Sequence, residues 1–303
     1  RIVVYRLEDL AALQVLEQGT DVQYSHLAFS GDGDLLASVG NAPDFTLAVW
    51  RWHEGQLLLR SKAFSQEVFT VQFNPFMAGR LTTSGIGHVR FWRMASTFTG
   101  MKLQGAIGKF GRVDLSDITA FAELPDGKVL SGSETGELML WEGNFIKCLI
   151  ARPHPVSSDP SDRLPAHDGP IHVVKFEAGP DGSAQGGHFI TGGDDGVLRW
   201  WAFEDVDMAD TEDDETHVLL DSSQAVPVAQ GVQVHVRGLV HRSDTQYAVL
   251  DGLGGVWTVD VASGDNEKVL ASHSGAVTSV VTAPTAQLCV TTGADGSVRA
   301  WDV

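Results

Sequence analysis

Seven strand-like segments of this chain end on an aromatic residue, or on one substitute for it, at intervals too regular for an ordinary globular sequence. The slots are Tyr5, Trp50, Trp92, Trp141, Trp201, Val259 and Trp301, separated by 45, 42, 49, 60, 58 and 42 residues. The clearest copy is the run GADGSVRAWDV, from Gly293 to Val303. Its Asp295-Gly296 pair suits a tight hairpin, because Gly accepts positive φ without steric cost, and strand formers follow it. A period of about 40 to 50 residues with several short strands in each unit predicts a β-propeller with four strands per blade. One such sheet cannot cover both of its faces alone; a ring of neighbours can.

Seven slots fit an all-β ring of seven blades whose first blade is incomplete, since Ile2 to Leu7 already reads as a third strand and Leu13 to Glu17 as a fourth. The chain begins with Arg rather than Met, so residues 1–303 are expected to be a single propeller domain cut from a longer chain, and less stable than its parent. The fourth unit is compact, with a Pro125-Asp126-Gly127 turn, and the sixth, roughly Gly238 to Val261, is the most degenerate. Met94 to Gly111, rich in Gly and Thr, reads as a linker. Arg152 to Gly169, with four prolines, reads as a mobile loop or a contact loop, too long for a plain blade connection. The fifth unit's outer strand is expected near Val218 to Asp221, and no helix longer than a turn or two is expected.

Composition narrows the function classes. No run of eighteen apolar residues exists, so no helix is expected to span a membrane. A formal charge of -18 argues against binding nucleic acid or an anionic membrane over the whole surface. That charge is uneven. Arg51 to Arg112 holds nine basic residues against two acidic ones, whereas Glu204 to Glu215 holds eight acidic residues and no basic one. Cys148 and Cys289 lie in apolar runs far apart; buried free thiols in a reducing compartment are the first reading and a disulfide the second.

The repeated pattern resembles the WD40 repeat family. In that family a His before the first strand, a Ser or Thr in the second, an Asp in the hairpin turn and the Trp of the third hydrogen-bond one another and brace the blade. The resemblance places those roles on His273, Thr291, Asp295 and Trp301 in the last unit, and on His167, Thr191, Asp195 and Trp201 in the fifth. The fourth unit keeps Ser131 and Trp141, with Thr135 in the Asp place, and the third keeps Thr82 and Trp92. A narrower likeness rests on AFSQEVF at 63–69, LTTSG at 81–85, FTGMKLQG at 98–105 and LPDGKVLSGS at 124–133. These stretches resemble the cilia- and flagella-associated WD-repeat proteins of the complex that tethers inner-arm dynein. The resemblance implies a noncatalytic axonemal scaffold that supports motility, with other axonemal proteins, inner-arm dynein and the doublet microtubule as partners. Microtubule-associated WD-repeat proteins outside cilia share similar stretches and supply the alternative.

The chemical motifs offer little else. Gly132-Ser133-Glu134-Thr135-Gly136 has its Ser one place away from a nucleophile elbow, and Gly252-Leu253-Gly254-Gly255 lacks the Lys-Ser/Thr ending of a phosphate loop. His235, Arg237 and His241 have no Cys or carboxylate at metal spacing, and neither Gly31-Asp32-Gly33-Asp34 nor Asp194-Asp195-Gly196 is followed by the ligands of a calcium loop. No catalytic residue, metal or cofactor is therefore expected. An enzyme would need titratable groups converging from the innermost strands, where Glu123, His172 and Lys175 are scattered. The acidic run reads as a solvated loop or a docking strip for a basic partner. Arg80, Arg90, Arg93, Lys102, Lys109 and Arg112 are the residues expected at a contact with tubulin or another acidic partner.

Overall fold

The computed structural model describes residues 1–302 apart from 99, 158, 160, 212–214, 272, 274–276 and 283–287. The described residues form seven sheets that follow one another along the chain. The first is the antiparallel pair β1 (Ile2–Tyr5) and β2 (Ala12–Leu16). The second contains β3 (Tyr24–Phe29), β4 (Leu35–Gly40), β5 (Thr46–Arg51) and β6 (Gln56–Lys62). The third contains β7 (Val68–Phe73), β8 (Arg80–Gly85), β9 (His88–Thr97) and β10 (Gly100–Ile107), and the fourth β11 (Ile118–Glu123), β12 (Val129–Ser133), β13 (Leu138–Glu142) and β14 (Phe145–Pro153). After the two-residue β15 (Arg163–Leu164), the fifth sheet has β16 (Ile171–Glu177), β17 (His188–Gly193) and β18 (Val197–Ala202). The single-turn helix α1 (Phe203–Asp207), β19 (His217–Leu219) and β20 (Gln224–Pro227) follow. The sixth sheet is β21 (Val236–Ser243), β22 (Gln246–Asp251), β23 (Gly255–Asp260) and β24 (Asn266–Ala271). The seventh is β25 (Val277–Thr282), β26 (Leu288–Gly293) and β27 (Val298–Asp302).

Within each sheet strand order follows chain order, as in a propeller blade, and innermost strands pack on their neighbours: β3 on β7, β7 on β11, β11 on β16 and β16 on β21. The core is distributed between the sheets. Ile2 and Leu16 meet Trp50 and Trp52 between the first two, and Val49 and Val71 meet Trp92 between the second and third. Val89 and Phe121 meet Trp141 next, then Leu140 and Ile171 meet Trp201, and Trp200 and Val236 meet Tyr247. Burial on both faces explains why Leu138-Met139-Leu140, all fully buried, shows no alternation. Burying each such side chain stabilises the fold by about 1.5–3 kcal/mol, so the interfaces carry much of the stability.

Three chain segments depart from the sequence expectations. The stretch expected as a linker after Met94 is the end of β9 and all of β10, a hairpin with Gly100 at φ 106° near its tip. Its Gly and Thr content hides a strand because the sheet face it covers is partly open and needs few large apolar residues. Unit five's outer strand is Gln224–Pro227, bonded to β18, and not the stretch near Val218. Instead β19 reaches back and pairs in parallel with β14 of the fourth sheet, Leu149 facing His217 and Ala151 facing Leu219. The long loop after Arg152 is also tied down, since β15 pairs with the end of β14 and Arg152 donates to the carbonyl of Pro165 and to Asp168.

Candidate functional site

The hydrogen-bond register shows why the repeated aromatic recurs. Trp92, Trp141, Trp201 and Trp301 stand opposite Leu81, Val129, Phe189 and Cys289, and each indole N–H donates to a hydroxyl two residues further along the partner strand. The acceptors are Thr83, Ser131, Thr191 and Thr291. Trp50, opposite Leu36, does the same with Ser38. In the third unit the acceptor is thus Thr83 rather than Thr82. The one-residue difference reverses the face, and Thr82 donates instead to Glu123 of the next sheet at 2.6 Å. Val259 occupies the same slot opposite Tyr247 in the sixth unit, with Val249 where the hydroxyl would be.

In the fifth unit the network continues to the turn. Thr191 Oγ1 lies 2.7 Å from His167 Nε2, and His167 Nδ1 lies 2.9 Å from Asp195 Oδ1. Arg199 donates to Asp195 Oδ2 at 2.7 Å. One set of protons satisfies the chain: Trp201 donates to Thr191, the Thr191 hydroxyl to His167 Nε2, and His167 Nδ1–H to Asp195. Burial, with Arg199 and Arg152 close by, lowers the His167 pKa and keeps the ring neutral, overcoming the opposing pull of Asp195. Burial alone would raise the pKa of Asp195, but its bonds to His167 and Arg199 win and hold the carboxyl well below the ordinary range. The last unit brings together His273, Thr291, Asp295 and Trp301 in the same way, with Ser297 at 2.9 Å from His273 Nδ1.

Two further braces escaped the sequence reading. In the second unit Thr20 stands in the place of the His and donates to Asp44, whose other oxygen accepts from the backbone of Thr46. In the sixth, Asp251 accepts from the Trp257 indole at 2.8 Å, from Lys268 at 3.0 Å and from the backbone N–H groups of Leu253 and Gly255. The signal for the first was Asp44 two residues before a strand; no family position points to the second.

The six basic residues do not form one patch. Arg80 stands opposite Arg93, Arg93 opposite Gln104, and Lys102 two residues before Gln104, so strand alternation puts Arg80, Arg93 and Lys102 on one sheet face. All three are exposed. Arg90 lies on the other face, where it donates to the carbonyl of Ala63 and stacks 4.2 Å above Trp92. Lys109 lies over the Phe145 ring, and Arg112 sits in the loop beyond β10. Part of the acidic run meets the chain's own fourth unit: Asp207 pairs with Lys128 at 2.7 Å and Asp210 with Lys147 at 3.5 Å, while residues 212–214 lie outside the described ones.

The groups a central-channel enzyme would use are separately engaged. Glu123 accepts from Thr82 and from Asn74, and burial raises its pKa against those bonds. His172 faces Asp194 at 3.1 Å and touches Arg237. Thr119 bonds the carbonyl of Ile171, linking β11 to β16, and Glu123, His172 and Lys175 line one open cavity along the innermost strands. Among the described residues no cluster of three His, Cys, Asp or Glu could hold a metal, and no helix is long and apolar enough to cross a membrane. Cys148 and Cys289 are free, and burial pushes the Cys148 thiol up to about 11, which makes it unreactive.

Known proteins share this architecture and sequence. Residues 264–302 match the family described as WD domain, G-beta repeat. The β-propeller domain of Cps50 (Swd1) from Myceliophteria thermophila superposes with a TM-score of 0.66 at 13% identity, covering 99% of this chain and 90% of that one. The computationally designed Ika8 protein gives 0.58 at 19% identity, over 97% of this chain and 75% of its own. Both speak for the fold alone. Cilia- and flagella-associated protein 44 of mouse is 39% identical over all of this chain and 16% of its own length, and that of Chlamydomonas reinhardtii 43% identical over 99% and 17%. Human WD repeat-containing protein 90 is 26% identical over 91% of the chain and 14% of its own. The chain thus spans about one sixth of the first two relatives; it is a WD40-repeat β-propeller, similar along its whole length to a segment of cilia- and flagella-associated protein 44.

Proposed function

We propose that this chain is a noncatalytic interaction domain of a cilium- or flagellum-associated protein, and that it helps tether inner-arm dynein to the doublet microtubule. The observation that carries the ciliary reading is identity of 36–43% along nearly the whole chain to proteins of that name from a mammal, an alga and a trypanosome. Similarity confined to the repeat's Trp and Asp positions would not reach that level, because most strand residues are interchangeable among apolar types. Braced blades support the scaffold role: they hold loops and hairpins rigidly, and binding then rests on a few side chains displayed there. The finer statement, dynein tethering on the axoneme, rests on the likeness of residues 63–133.

The test replaces the matching segment of the Chlamydomonas reinhardtii relative with this chain, or deletes it, in cells otherwise lacking that protein. Replacement is expected to restore axonemal retention of the protein and of inner-arm dynein against salt extraction, and deletion to lose both. Full retention after deletion would refute the reading. A second reading, a microtubule-associated protein outside cilia, is favoured by the 28% identity of echinoderm microtubule-associated protein-like 4 from Xenopus laevis over 63% of the chain. It predicts replacement protein on cytoplasmic microtubules rather than in axonemes.

A further inference from the structure

The hairpin of β9 and β10 leaves its outer edge open, unlike the outer edge of the next unit. Every residue of β10 except Leu103 is exposed, whereas in β14, the outer strand of the next unit, only Phe145 is, and that strand is itself covered by β19 and β15. The Ile107 carbonyl accepts from Asn144 rather than from β9, so it points out of the hairpin. In an antiparallel ladder inward and outward groups alternate, and Met101, Leu103 and Gly105 therefore present their N–H and C=O groups to the open edge as well. The two faces beside that edge have different chemistry. Lys102, Gln104, Arg93 and Arg80 share one face, and none of its three cations forms an ion pair among the described residues. On the opposite face Met101 is 52% and Ile107 40% exposed.

We propose that the open edge of β10 accepts an extended segment of a partner protein as an added strand, and that acidic and apolar residues alternate in that segment. Main-chain bonds along an edge supply affinity for any extended peptide, and the side chains on alternate sides supply selection. Acidic residues on the Lys102 side meet unpaired cations, and apolar residues on the other side cover Met101 and Ile107. The cleft of about 400 Å³ between this sheet and the Gly143-Asn144 turn already holds Glu123 within electrostatic reach of Arg80, and leaves room beside Arg93 for a partner's carboxylate. In a chain of net charge -18 these cations also mark where an acidic partner can approach without repulsion.

The test measures binding of a fluorescein-labelled Glu-Val-Glu-Val-Glu-Val-Glu peptide to the chain by fluorescence anisotropy. The double variant Arg93→Glu, Lys102→Glu is expected to weaken binding at least tenfold, while Arg6→Glu, Arg242→Glu, with the same change in net charge at distant exposed sites, shifts it less than twofold. A peptide N-methylated on alternate amides, which cannot complete the ladder, is expected to bind at least tenfold more weakly to the unaltered protein. Absence of binding, equal binding of the N-methylated peptide, or equally tight binding of a seven-residue thymidine oligonucleotide would overturn the proposal; the last would mean that the surface reads charge only.

Discussion

Thr191→Val isolates the brace of the fifth unit with little change in shape. Thr191, His167 and Trp201 are all at most 1% exposed, so no water can replace the lost hydroxyl. The substitution orphans two polar groups at once, the Trp201 indole N–H and His167 Nε2, which lie 2.9 and 2.7 Å from Thr191 Oγ1. Each buried unsatisfied group costs about 1–3 kcal/mol, which gives a loss of roughly 2–6 kcal/mol, a large share of ordinary domain stability. Ser131→Ala in the fourth unit is the internal comparison, because Ser131 serves the Trp141 indole and no His stands beyond it. It should cost about half as much. Urea unfolding followed by tryptophan fluorescence reads both variants against the unaltered chain. A Thr191→Val midpoint within error of the unaltered protein, or above that of Ser131→Ala, would refute the claim that the His-Thr-Asp-Trp chain stiffens its blade.

Two further perturbations follow from the same geometry. The His167 pKa is lowered by folding, so the unfolded chain binds the extra proton; stability is complete above about 6.5 and falls as pH drops below it, by up to about 1.4 kcal/mol per pH unit for that proton. Asp195 is also lowered, and its contribution is present above about 3.9 and lost in stronger acid. Urea midpoints between pH 7 and 5 should therefore fall less steeply in His167→Gln than in the unaltered chain, and equal slopes would show that His167 is already charged in the fold. Asp251→Ala leaves the Trp257 indole, Lys268 and two backbone N–H groups without their acceptor in the sixth unit, at a side chain only 4% exposed. It should destabilise by about 3 kcal/mol or more, whereas Asp265→Ala on the surface changes little; thermal unfolding distinguishes them.

Much of the brace system could be placed through the resemblance to the WD40 repeat, whose positions map onto this chain because a hairpin turn and the two strands it joins are local in sequence. His167 and His273 could be placed because each stands a few residues before its first strand, with Thr and Asp at family distances. Thr82 and Thr83 could not be told apart: adjacent threonines differ only in the sheet face they reach, and the register that decides it depends on the opposing strand. The Asp251 network had no sequence signal, since its partners Trp257 and Lys268 come from two different strands in a unit that lacks both the His and the hydroxyl.

The sequence by itself determined the repeat, the all-β class and the aromatic that closes each third strand, since these depend on period and local turn chemistry. Only tertiary structure decided that the stretch from Gly100 is an exposed outer strand, that β19 serves the fourth sheet instead of the fifth, and that the six basic residues do not share one face. The physical reason is common to all three. Strand pairing and sheet packing join residues far apart in sequence, and an outer strand that leaves much of its surface exposed carries little apolar pattern to announce it.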